Sequence, residues 1–140
     1  MDRVLIVWHE PIGQPRHRIS TRSGFAKMYL PTRHEVHGFK RAIKTAWLNL
    51  KVLPSQKAVF VAIEAFFHRP KARTWKRRPN PRYPHTSKPD IDNVAKAVMD
   101  ALNKLAWIDD SQVSRLEVSK TVCAGDDVPH VVISVMELGE

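Results

Sequence analysis

The sequence predicts an α+β domain in which one mixed β-sheet packs against two main helices, in the order strand, helix, strand, helix, strand, strand. Three observations carry this. Two stretches place apolar residues at the three- and four-residue spacing of a helix face. Four others are apolar, β-branched or aromatic runs of strand length. The 140 residues amount to a single domain, large enough to bury a core without disulfide or metal staples. No internal repeat or low-complexity segment divides residues 1–140.

The elements follow in order. Arg3 to Trp8 (RVLIVW) is a short strand. His9 to Gly24 holds Pro11, Gly13 and Pro15 with a basic run of Arg16, His17, Arg18 and Arg22, and reads as a loop that either reaches phosphates or is simply solvated. Phe25 to Leu30 fits the second short strand of a hairpin-like arm. Thr32-Arg-His-Glu35 has the form of a capping box. Beyond it Val36, Phe39, Ile43, Ala46, Trp47 and Leu50 make an apolar helical stripe, with Lys40, Arg41 and Lys44 off the stripe on a solvated face. Lys57 to His68 is almost continuously apolar, as in a central strand buried on both faces. Glu64 interrupts it and is a secondary candidate for a site. Arg69 to Lys88 carries Arg69, Lys71, Arg73, Lys76, Arg77, Arg78, Arg82 and Lys88 and no acid. Its four prolines argue against regular structure, and its self-repulsion argues for mobility until phosphates order it. Trp75 and Tyr83 stand among the cations, able to stack on bases. Apolar residues at Ile91, Val94, Val98, Ala101, Leu102 and Leu105 mark the second helix. Gln112 to Val122 and Val128 to Leu138 are two strands, expected to form an antiparallel hairpin through the turn Ala124 to Asp127.

Charge and cysteine content bound the function. Lys and Arg outnumber Asp and Glu by 23 to 14, a formal net charge of +9. That is the electrostatic footprint of a nucleic-acid binder; it names a partner class and no reaction. The one cysteine, Cys123, excludes an internal disulfide and fits a reducing, cytoplasmic setting, where it reads as a small buried hydrophobe. No apolar run approaches the ~18 residues of a membrane helix, and no secretory leader is evident.

Against this cationic background, the stretch from Lys88 to Val113 gathers five of the 14 acids: Asp90, Asp92, Asp100, Asp109 and Asp110. Pro89 stands just ahead of the helix, which makes Asp90 the expected N-cap and puts Asp92 in the first turn. Asp92, Lys96 and Asp100 follow at four-residue intervals and share a polar face. Asp109-Asp110-Ser111 is turn-like, and such a turn is able to return an acid over the helix start. Two carboxylates ~4 Å apart repel by about 4 kcal/mol at an effective dielectric near 20. Hard divalent cations relieve that repulsion. Each part also has an ordinary reading as a cap, an i, i+4 pair or a turn.

The run D-x-D-N-x-x-K-x-x-x-D-A-L, followed by W-x-D-D-x-Q-V, resembles the RusA family of Holliday junction resolvases. Pro11 to Arg18 (PIGQPRHR) is similar to an early segment of some members. The resemblance implies a small α/β fold and a homodimer whose two-fold axis matches paired, symmetrical nicks in a four-way DNA junction during recombination and repair. It implies magnesium, with manganese as a substitute, held by Asp90, Asp92 and Asp110, and a catalytic lysine at Lys96. Asp100 and Asp109 stand around that set. Arg16, Arg18, Arg69, Lys76, Arg77, Arg78, Arg82 and Lys88 are then the expected contacts to DNA phosphates. Two rivals remain at this point: a non-catalytic basic nucleic-acid-binding protein, and a D-x-D metal enzyme acting on nucleotide sugars, which needs a nucleotide-binding domain that the length barely accommodates.

Overall fold

The structure, a computed structural model, describes residues 2–15, 24 and 34–139 in full and the backbone of 18–20 and 27–29. In chain order its elements are β1 (Asp2–Val7), β2 (Arg18–Ser20), β3 (Lys27–Tyr29), α1 (Val36–Leu48), β4 (Val59–Phe67), β5 (Tyr83–Pro84), α2 (Ile91–Leu102), β6 (Val113–Val122) and β7 (His130–Glu137). Five strands form one sheet in the order β1-β7-β4-β6-β5. Only β4 and β6 run parallel, so the sheet is mixed as expected. The short β2 and β3 pair with each other as a separate antiparallel arm.

One sheet face carries the core. Val59, Val61, Ile63, Ala65 and Phe67 of β4 point into it and are buried. α1 packs onto them through Val36, Phe39, Ile43 and Trp47, and α2 through Val94, Ala97, Val98, Ala101 and Leu102. Both helices thus turn their apolar stripes to the core, except that Ile91, in the first turn of α2, is 45% exposed. The capping box at the start of α1 has its Thr32 outside the described residues. In the described part, Glu35 occupies the cap position without a side-chain bond, and the His34 ring Nδ1 accepts from Val36 N at 3.0 Å.

Four expectations need correction. β4 is not buried on both faces: its burial alternates, and Phe60, Ala62 and Glu64 lie on the face away from the helices. Its near-continuous apolar run misled because Phe66 on that open face is covered locally, by the His130 ring at 4.4 Å and the Arg82 guanidinium at 4.4 Å. Glu64 is therefore exposed on the side opposite α2. β6 and β7 are not a hairpin, because β4 is inserted between them and pairs with both. Lys40 is not on a solvated face; its side chain is 15% exposed and bridges to Asp100 of α2 at 3.7 Å. Finally, Arg69–Lys88 is not wholly irregular, since it holds a 3-10 turn at Lys71–Arg73 and the short β5.

Candidate catalytic cleft at the start of the second helix

Asp90 sits at the N-cap of α2 with extended backbone, φ −66° and ψ 151°. Its carbonyl accepts from Asn93 N and Val94 N, but its carboxylate makes no capping bond. Asp92 follows in the first turn, where the helix dipole favours an anion. Both are exposed, and among the described residues no ion pair engages either. These two carboxylates are free for a ligand from outside the chain.

The segment that carries them is fastened from two sides. Gln14 N donates to Asn93 O at 2.8 Å. At Gly13 a Cβ would come within 2.5 Å of Pro89 Cβ, so only glycine permits this approach of the loop after β1. From the sheet, Lys120 Nζ donates to the carbonyls of Ser87 (2.8 Å) and Pro89 (2.7 Å). Lys120 pairs in register with Ala65, which puts it on the helix side of the sheet.

Beside Asp90 opens a cleft of about 870 Å³ lined by Glu10, Gln14, His68, His85 and Lys88 among others. Glu10 accepts from the His68 backbone N–H at 3.2 Å and lies 2.8 Å from its ring Nδ1. The His85 ring stacks on Phe67 at 3.9 Å. Burial, aided by the Lys120 charge, lowers the pKa of that imidazole and favours its neutral form. Sequence patterns did not single out Glu10, Gln14, His68, His85 or Lys120. Their signal is tertiary: Glu10, Gln14, His68 and His85 line the cleft from separate segments and Lys120 braces the Ser87 and Pro89 carbonyls beside it, and no local spacing encodes this.

The remaining acids divide. Asp100 is shared by two lysines, Lys96 at 3.7 Å and Lys40 at 3.7 Å. Burial lowers the pKa of Lys40 despite that partner. Lys96 thus pairs with Asp100 one turn on and stays 58% exposed. Asp109 caps a 3-10 turn at Asp110–Gln112, accepting from Ser111 N at 2.9 Å, and hydrogen bonding from the Ser111 side chain, then from its backbone N–H, holds the carboxyl below the usual range. Asp110 Oδ1 accepts from Trp107 Nε1 at 2.8 Å.

The expected return of this turn over the helix start does not occur within one chain. The 12 residues of α2 lie between the two acidic groups, about 18 Å of helix axis. Asp110 precedes the first residue of β6, whereas Lys120 near the end of β6 holds the Asp90 segment. Among the described residues no three His, Cys, Asp or Glu side chains converge as a cation cage.

The cationic residues also divide. Lys76, Arg77 and Arg78 are exposed around a shallow depression beside Trp75, and Lys88 lines the cleft. Arg69 turns inward: its guanidinium donates to the carbonyls of Arg73, Pro81 and Cys123 and lies between the Trp75 and Tyr83 rings at 5.4 and 5.3 Å. Arg78 covers the Trp75 ring at 3.8 Å and Arg73 covers Tyr83 at 4.3 Å. Arg82 Nε donates to Asp127 Oδ2 at 2.7 Å. The two aromatics expected to meet bases are therefore engaged by arginines of their own loop. Arg16 and the side chain of Arg18 lie outside the described residues.

The chain matches the sequence profile of the family described as Endodeoxyribonuclease RusA over residues 9–136. It is also 47% identical over 53 residues to the uncharacterized protein YqaN of Bacillus subtilis (strain 168), a match covering 38% of this chain and 35% of that protein. The aligned stretch thus spans about a third of the relative's length.

Proposed function

The chain belongs to the RusA endodeoxyribonuclease family, and from that premise we propose that it is a divalent-metal-dependent, structure-selective endonuclease that resolves four-way DNA junctions by paired, symmetrical nicks as a homodimer. The observation that carries the reading is the pair Asp90 and Asp92. They are two exposed carboxylates, engaged in no side-chain cap or ion pair among the described residues, with Asp90 lining the cleft and Asp92 two residues further on in the first turn, in a chain of net charge +9.

This donor set fits magnesium, or manganese in its place: hard oxygen ligands, few of them from the protein, with room for phosphate and water. Asp90 and Asp92 would hold the ion, and a bound divalent cation supplies Lewis acidity and charge neutralisation at the scissile phosphate. The rest is done by the chain itself. Lys96, one turn beyond Asp92 and largely exposed, is placed to leave Asp100 and take a phosphate oxygen, while Lys40 keeps Asp100 neutralised behind it. Lys88 at the cleft and Lys76, Arg77 and Arg78 on the loop hold backbone phosphates and set the register of the strand. Arg69 and Arg82 serve the same end indirectly, by fixing the shape of that loop. Asp110 is too distant to join Asp90 and Asp92 of its own chain. As a ligand it has to come from a second copy, and the reading therefore depends on the dimer.

The test is a cleavage assay on a four-way junction, with magnesium or EDTA and with linear duplex as control. The wild-type protein is expected to give paired nicks in the junction with magnesium only. Asp90→Asn should bind the junction at least as tightly, having lost a negative charge facing DNA, and produce no nicks. Normal cutting by that variant refutes the ligand assignment. A non-catalytic binding protein would shift the junction in a gel and yield no product at any magnesium concentration.

A further inference from the structure

We propose that the outer edge of β6 is the surface on which a second copy of this chain docks, strand against antiparallel strand, with the two-fold axis at Leu116. This deepens the paired-nick reading, which needs a dimer but does not say where it forms. On one side β6 is paired with β4 along its length. On the other, β5 covers only Thr121 and Val122, and His85 N reaches Lys120 O. From Val113 to Ser119 no strand among the described residues takes that side. An uncovered edge of this length is a template for pairing with another chain. Leu116 is 42% exposed on it, although its β4 neighbour in register, Val61, is fully buried.

Charge then selects the register. A two-fold axis perpendicular to a sheet keeps each face on its own side, so every residue must meet one from the same face. Arg115 and Glu117 lie on the open face, in register with Phe60 and Ala62; Leu116 and Val118 lie on the helix face. With the axis at residue 115, arginine meets arginine. With the axis at residue 117, glutamate meets glutamate. Like charges directly opposite destabilise an antiparallel pair. With the axis at residue 116, each Arg115 faces the partner's Glu117, twice by symmetry, and Leu116 meets its own copy. Within one chain Arg115 Nη2 and Glu117 Oε1 are already 2.9 Å apart, each side chain 60% exposed, with the guanidinium over the Phe60 ring at 4.4 Å. The two groups lie ready on one face to exchange partners. Antiparallel pairing also lays the start of one β6 beside the end of the other, toward the Lys120 end that holds the Asp90 segment.

The experiment is sedimentation velocity on the full chain without DNA or metal, with circular dichroism to verify that each variant is folded. The wild-type chain should be a dimer. Arg115→Glu and Glu117→Arg should each weaken self-association tenfold or more, the double swap should restore it, and Leu116→Lys should be a folded monomer. A monomeric wild type overturns the proposal. So does a dimer indifferent to all these changes, or a double swap that fails to recover. Should the dimer behave as described while the junction assay shows no cleavage, the edge stands and the nuclease reading falls.

Discussion

The Arg82–Asp127 pair shows how a side chain expected at DNA is put to another use. Two guanidinium nitrogens meet the carboxylate, at 2.7 and 3.3 Å, and Ala124 N donates to the same group at 2.8 Å. These bonds, led by Arg82, hold the Asp127 carboxyl below its usual range. A carboxylate with a depressed pKa in the folded state favours folding above its unfolded pKa and loses that contribution as pH falls through the folded value. Asp127→Asn should therefore cost stability at neutral pH, about 1 kcal/mol or less for a pair this exposed. The gap to wild type should narrow as pH drops below ~4, as read by urea melts at pH 7 and pH 3. No local pattern predicts this pair, because its members are 45 positions apart, and Arg69 reaches Cys123 O across 54. The cap at Asp90 was legible for the opposite reason: Pro89 before it and the Ile91 stripe after it are its immediate neighbours.

At the scale of elements, periodicity is reliable for a helix and ambiguous for a strand whose open face is also apolar. α1 and α2 turn their stripes to the core, Ile91 at the helix start excepted, whereas β4 conceals its alternation behind Phe60, Ala62 and Phe66. Two adjacent substitutions should expose the difference. Ile63→Ala removes a fully buried side chain and is expected to cost about 2–5 kcal/mol. Glu64→Ala, on the open face, should stay within about 0.5 kcal/mol of wild type. Denaturant titration of both variants measures this, and similar costs would mean that the open face is covered. Strand order was beyond reach from the sequence. β6 and β7 are joined by a short turn that looks like a hairpin, and only the register of β4 with both shows otherwise.

For the molecule as a whole, the charges that stay outward decide how it holds DNA. Lys76, Arg77, Arg78 and Lys88 are exposed, while Arg69 and Arg82 are committed to carbonyls and Asp127. Junction affinity should fall steeply with salt, and Arg77→Ala should reduce the slope of log K against log salt by about 0.9. Titration at several salt concentrations tests this; an unchanged slope removes Arg77 from the phosphate contacts. The acidic motif was readable along the chain, but the separation of Asp110 from Asp90 was not, since it depends on which ends of α2 and β6 lie together. Strand order has a temporal consequence as well. β1 pairs with β7 alone, Leu5 beside Ile133. During translation the opening strand must wait for more than a hundred later residues to emerge before it finds a neighbour. Native closure of that margin is then a late event, and a ribosome-bound nascent chain would carry β1 as an unsatisfied ribbon within reach of chaperones.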